Sequence, residues 1–147
     1  KGFLELSKII KKISELTGGI LLIDYGYSTS RNLNTIQAVM DNKKISMENM
    51  FRNLGKADIT SLVNFSLLKE FFVQNNLKVT NIVSQKFFLE RMGIIKRAQI
   101  LERKMTKKQK KYMSETLTRL LEEKQMGKLF KVIFGYKFKK NNFFGFE

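Results

Sequence analysis

The chain of 147 residues contains no cysteine, no histidine and no proline. Without cysteine there is no disulfide scaffold, no thiolate nucleophile and no thiolate metal site. Without histidine, Ser-His-Asp and Cys-His catalysis, a histidine base and His-ligated zinc or iron are excluded. Chemistry carried by this chain must use carboxylates, lysine, tyrosine or a bound cofactor. Long hydrophobic runs are missing too: Ile20 to Ile23 stops at Asp24, far short of the ~20 residues of a membrane span. Gly2 to Leu16 is amphipathic rather than an apolar block with a cleavage site, so no signal peptide is expected there. Neither a Gly-x-Gly-x-x-Gly turn nor a Walker loop occurs. The chain begins with Lys1 rather than Met, as a piece of something longer would.

What is present is compatible with a packed core. Hydrophobic residues make up 43% of the chain and charged residues 28%, and a chain this long buries roughly 70% of its unfolded surface. The net charge is +15, and residues 96–147 hold fifteen of the basic residues against five acidic ones. Lysine outnumbers arginine by 22 to 6. Two readings stay open: compositional drift toward Lys, Asn and Ile, or a functional basic surface. A nucleic-acid surface favours arginine, whose planar fork matches phosphates and base edges.

Phe3, Leu6, Ile9, Ile10, Ile13 and Leu16 recur at helical spacing, and Gly18-Gly19 supplies a stop. Ile20-Leu21-Leu22-Ile23 follows as an unalternating apolar strand. Such a strand is expected to be covered on both faces, and helix–strand order predicts a parallel α/β sheet. Residues 27–58 are mixed, with Ser28, Thr29, Ser30, Asn32 and Asn34 marking a polar loop. Ser66 caps a predicted helix running to Asn75, with Leu67, Leu68, Phe71 and Phe72 as its apolar face. A strand is predicted over Leu77 to Val83, and a short helix from Gln85 to Met92. Lys96 to Lys111 reads as a solvated helical face. Thr106-Lys107-Lys108-Gln109 fits a capping box opening a helix to about Lys124. Leu129 to Phe134 is the last predicted strand, and residues 136–147 either extend it or form a tail.

Asp24, before Tyr25-Gly26, stands at the carboxyl end of an apolar strand, where open α/β sheets bind ligands. Asp before Gly is equally a turn signal, and the pattern leaves both roles open. Asp58 to Phe65 is a polar cluster leading into a helix, and capping chemistry accounts for it as well as a site does. Gln85 followed by Phe87 and Phe88 lines a pocket or packs a core. The seven Met residues have no metal-box spacing.

ILLIDYGY, Thr35-Ile36-Gln37-Ala38-Val39, ADITSLVNF, SQKFFLERMGI and MGKLFKV follow one another in an order that resembles the MidA-type S-adenosylmethionine-dependent methyltransferases. The mitochondrial member of that family is a complex I assembly factor that methylates an arginine. The agreement runs from about Gly18 to Val132. The sequence departs from the family at Asn64, where an Asp is usual, and at Leu54-Gly55, where a Pro-Gly turn is usual.

The resemblance implies an α/β fold: the C-terminal portion of a Rossmann-like class I methyltransferase, truncated at its N-terminal side and forming a single partial domain over residues 1–147. Ile20 to Ile23 would lie in its central sheet, with Leu77 to Val83 and Leu129 to Phe134 as far-edge strands. The implied cofactor is S-adenosyl-L-methionine, bound mainly by residues outside this chain, and no metal is implied. Asp24 is the implied catalytic residue, with Tyr25, Gly26, Gln37, Asp58, Thr60, Gln85 and Phe88 on the substrate side. The implied partner is a protein substrate, and homo-oligomers are compatible with the truncated sheet. A Lys-rich nucleic-acid module and a non-catalytic assembly scaffold are the competing classes. The implied compartment is the cytoplasm in a bacterium or the mitochondrial matrix in a eukaryote.

Overall fold

The computed structural model describes residues 2–29, 34–41, 43–139 and 142–147. Its elements run α1 (Gly2–Glu15), β1 (Gly19–Tyr27), β2 (Gln37–Met40), β3 (Lys43–Ile45), α2 (Met47–Arg52), β4 (Asp58–Thr60), β5 (Val63–Asn64), α3 (Phe65–Gln74), β6 (Lys78–Val79), β7 (Val83–Ser84), α4 (Gln85–Arg91), α5 (Ile94–Glu102), α6 (Lys107–Leu121), α7 (Met126–Leu129) and β8 (Phe130–Tyr136). Ser30 and Asn32 of the expected polar loop lie outside the described residues.

The central sheet is mixed rather than parallel. β1 and β8 pair antiparallel over seven residues, from Gly19 opposite Tyr136 to Tyr25 opposite Phe130. β5 adds one short parallel pairing, Gly26 with Val63 and Tyr27 with Asn64. β8 therefore lies inside the sheet and not at its far edge: β6 and β7 both pair with its other side. The single strand expected over Leu77 to Val83 is split by Thr80. Its amide donates to the Phe134 carbonyl (3.0 Å) while its hydroxyl accepts from the Phe134 amide (3.1 Å). A side chain has replaced a backbone acceptor in the ladder, so the strand breaks there. β2, β3 and β4 form a separate antiparallel sheet.

Alternation along β1 sends its side chains to two faces. Ile20 and Leu22 pack under α1 and α3 against the core of Ile10, Phe65, Leu68, Phe72, Leu77 and Ile133. Burying a side chain of that size contributes roughly 1.5–3 kcal/mol. Gly26 lies on the same face, directly under Phe65. A Cβ there would sit 2.4 Å from that ring and 2.6 Å from the Val63 carbonyl oxygen. On the opposite face Leu21, Ile23 and Tyr25 are 44%, 43% and 42% exposed. The expectation that this strand is covered on both faces is thus corrected. Nor does its outer edge carry a full partner, since β5 reaches only Gly26 and Tyr27.

Helix starts follow their local chemistry, with one reassignment. Asn64, not Ser66, caps α3 by accepting from the Leu67 amide (3.1 Å). The Ser66 hydroxyl instead donates to the Ser28 carbonyl (2.6 Å), tying α3 to the end of β1. Thr106 and Gln109 form the expected capping box of α6, which ends at Leu121, a turn before Lys124. Past Gly93, a second helix, α5, takes up the first part of the Lys-rich segment. β8 extends only as far as Tyr136, and the described residues beyond it neither continue the strand nor hang free. Phe143 packs on Tyr136 (4.7 Å between ring centroids) and Phe146 on Phe88 (5.3 Å).

Two outcomes follow from this packing. Gly26→Ala must move a buried ring or a backbone carbonyl, so it should destabilise the fold by ~1–3 kcal/mol, the usual cost of overpacking, read as a fall in melting temperature. The open edge and apolar face of β1 should make the chain self-associate, and Leu21→Lys with Ile23→Lys should reduce this. Light scattering of a monodisperse wild-type monomer would contradict the second expectation.

Candidate functional site

Two adjoining recesses lie beyond the carboxyl end of β1, and both are bordered by Leu62 and Leu129. The first, about 370 Å³, runs along Gly26 to Thr29 and faces the segment from Glu123 to Lys131. The second, about 320 Å³, is bordered by Tyr25, the residues from Asn34 to Gln37, and Lys44. This is the strand end at which open α/β sheets hold ligands. Its position follows from pairing: the antiparallel return of β8 brings α7 and Lys131 beside Gly26 and Asp24.

Electrostatically the first recess is basic. Lys124, Lys128 and Lys131 outnumber Glu123, whose carboxylate lies 3.9 Å from the Lys86 amine and 4.0 Å from that of Lys128. These pairs are exposed and contribute little to stability. Gly127 is buried where α7 meets the end of α6, with its amide donating to the Glu122 carbonyl (3.0 Å). A Cβ at Gly127 would collide with the backbone of Leu121 and Glu122. That contact fixes the basic segment against the sheet.

Of the residues placed on the substrate side, Tyr25, Gly26 and Gln37 border the recesses. Tyr25 also packs on Phe130 with the rings tilted by 42° (4.0 Å between centroids), which holds its ring over the sheet. Asp24 is exposed and does not itself line either recess. Its Oδ1 accepts from the Tyr25 amide at 2.7 Å, while its second oxygen has no hydrogen-bond partner among the described residues; the turn offered for Asp24 is not there, because β1 runs on to Tyr27 with Asp24 opposite Lys131 of β8. Thr60 faces Gln37 across the β2–β4 ladder, and Asp58 faces Val39. Both are exposed on β4 and border neither recess.

Gln85 and Phe88 take packing positions instead. Gln85 is buried, and its Nε2 donates to the Leu120 carbonyl (3.0 Å), pinning α4 to α6. Phe88 is buried against Gly145 and Phe146. Neither lines the cleft, so in this chain they hold its scaffold. Asn64, where the family usually has Asp, is the α3 cap; an amide oxygen fills that role as well as a carboxylate does. The lysines of the 124–131 segment were not foreseen as site residues. Their nearness to β1 depends on the return of β8, which no local pattern encodes.

An S-adenosyl donor needs a glycine-rich turn and a carboxylate for its ribose hydroxyls. Among the described residues the cleft has no glycine-rich turn, and the one carboxylate lining it, Glu123, faces Lys86 and Lys128 rather than open space. The residues present do not fit the donor on their own.

Residues 3–83 match the family described as "Putative S-adenosyl-L-methionine-dependent methyltransferase". The mitochondrial protein arginine methyltransferase NDUFAF7 homolog of Caenorhabditis elegans is 29% identical over 127 residues, which is 86% of this chain and 28% of that protein. The fold is similar to that of an uncharacterised protein from Burkholderia thailandensis, with a TM-score of 0.79 at 22% identity, over 95% of this chain and 39% of that one. A second structure from the same organism, bound to S-adenosyl-homocysteine, gives a TM-score of 0.74 at 22% identity, over 93% of this chain and 38% of that one. The chain thus spans well under half the length of the relatives it matches. With more than half of its residues inside the family match, the chain belongs to this S-adenosyl-L-methionine-dependent methyltransferase family.

Proposed function

We propose that this chain forms the C-terminal, acceptor-side portion of a methyltransferase that modifies an arginine on a protein substrate, in a role linked to respiratory complex assembly. The observation that carries this reading is the cleft at the carboxyl end of β1, a strand inside the segment that matches the methyltransferase family. The arginine methyltransferase name of the Caenorhabditis elegans relative supports the choice of acceptor. The methyl donor is S-adenosyl-L-methionine, held by residues outside this chain. An enzyme of this kind chiefly aligns its two reactants. That suits a chain without histidine or cysteine.

Within this reading Asp24 orients the acceptor. The Tyr25 amide anchors Oδ1 and leaves the second oxygen for a guanidinium N–H. Such a charge-assisted bond is strong and directional. Tyr25, Gly26 and Gln37 form the wall along which the substrate segment lies. The lysines across the cleft repel a bare guanidinium, so the carboxylate of Asp24 is needed to favour its approach. Asp58 and Thr60 meet the substrate further out, on β4.

Asp24→Asn in the complete protein keeps the bond to the Tyr25 amide and loses only the charge. Charge-assisted bonds contribute ~1.5–3 kcal/mol each, so methyl transfer to an arginine peptide should fall by roughly ten- to hundredfold. Donor affinity and melting temperature should stay near wild type. Transfer at the normal rate would leave Asp24 as an ordinary exposed strand residue. In calorimetry, the 147-residue chain alone should bind S-adenosyl-L-methionine far more weakly than the complete protein does; equal micromolar affinity would overturn the placement of the donor site outside this chain.

A further inference from the structure

The consecutive helices α5 and α6, each packed on α4, border a groove of about 520 Å³ that is lined almost wholly by carbon. Leu101 closes one end, Met105 sits at the bend, and Gln109, Tyr112, Met113 and Thr116 run up α6 at helical spacing. α6 has no fully buried residue. Tyr112 is 71% exposed, and a tyrosine ring left so open on an apolar groove is an unfilled contact. The rim is cationic. Between residues 94 and 111 there are eight basic residues and one acidic residue. Glu102 and Glu115 engage only Lys110 and Lys111. Arg103, Lys104, Lys107 and Lys108 have no ion-pair or hydrogen-bond partner among the described residues.

We infer that this groove docks an acidic amphipathic helix of a partner protein, with apolar anchors on Met105, Tyr112 and Met113 and carboxylates on Lys104 and Lys108. The inference does not rest on the methyl-transfer reading. Gln109 to Thr116 spans about 10 Å at 1.5 Å per residue, which suits anchors at i, i+3 or i+4 and i+7 of a short helix. Charge selects the occupant. A second copy of this chain carries the same +15, and its acidic neighbours Glu122-Glu123 are its only adjacent acidic pair. A nucleic acid would neutralise the rim but leave the apolar floor unfilled. The open edge of β1 is a separate surface: β8, β7 and α4 lie between it and the α5–α6 groove. Electrostatic attraction would speed the encounter, and the apolar anchors would hold it.

The test is fluorescence anisotropy of the full chain with a labelled helical peptide bearing leucine on one face and glutamate on the other. Its control is a scrambled peptide of equal composition. The amphipathic peptide should bind about tenfold more tightly than the scrambled one. Tyr112→Ser and the pair Lys104→Glu with Lys108→Glu should each weaken binding by about the same factor. All three positions are exposed, so circular dichroism melts of these variants should match wild type. Equal affinity for the scrambled peptide, or binding indifferent to both variants, would overturn the proposal. So would tighter, Tyr112-dependent binding to a single-stranded oligonucleotide or to phosphatidylglycerol vesicles.

Discussion

The antiparallel register between β1 and β8 joins residues more than a hundred positions apart, Gly19 opposite Tyr136. Closing a loop of that length costs conformational entropy that grows only slowly with its length. Hydrogen bonds exchanged for those with water return about 1 kcal/mol each at most. The pairing therefore depends on the apolar face it completes, where Ile20 and Leu22 of β1 and Ile133 of β8 close the core beneath α1 and α3. Remove that face and the register has nothing to hold it. Keep it, and β5, β6 and β7 each find a position along one of the two strands.

The same register makes the cleft. It carries α7 and its lysines back to the strand end where Tyr25, Gly26 and the Ser28 segment emerge. Two glycines allow the close approaches that set its walls. Gly26 admits the Phe65 ring, and Gly127 admits the end of α6. The sheet is also asymmetric: one face of β1 is packed, while Leu21, Ile23 and Tyr25 stay open on the other. A chain that belongs to a methyltransferase family and spans 38–39% of its solved relatives thus presents a cleft at one end of its sheet together with an open sheet edge.

Much of this was legible locally. The Thr106 capping box and the helix ending before Gly18 are short-range features, written in the residues that form them; the turn that Asp24-Tyr25-Gly26 suggested is instead strand, because β8 and β5 pair with those residues. The first helix nevertheless stops through Thr17, which takes the left-handed conformation (φ 50°) itself, so glycine marked the neighbourhood and not the residue. Capping of α3 shifted by two positions because the helix begins at Phe65, which puts Asn64 at the cap and Ser66 inside the first turn, where its hydroxyl donates to the Ser28 carbonyl 38 residues away. Gln85 looked like a pocket residue because a polar side chain before aromatics suits either a site or a core. The carbonyl of Leu120, 35 residues on, settled which.

By itself the sequence determined the chemistry available from this chain's own side chains, which include no histidine or cysteine, and the starts of α4 and α6. It also determined the family, through motifs whose order does not depend on how strands pair. Strand direction, the burial of β8 inside the sheet, the Thr80 break and the lysine wall of the cleft were decided only by tertiary structure. The physical reason is range. Capping and periodicity act within a few residues. An apolar run such as Ile20 to Ile23 states that it will be packed, but not by which strand, in which direction, or on how many faces.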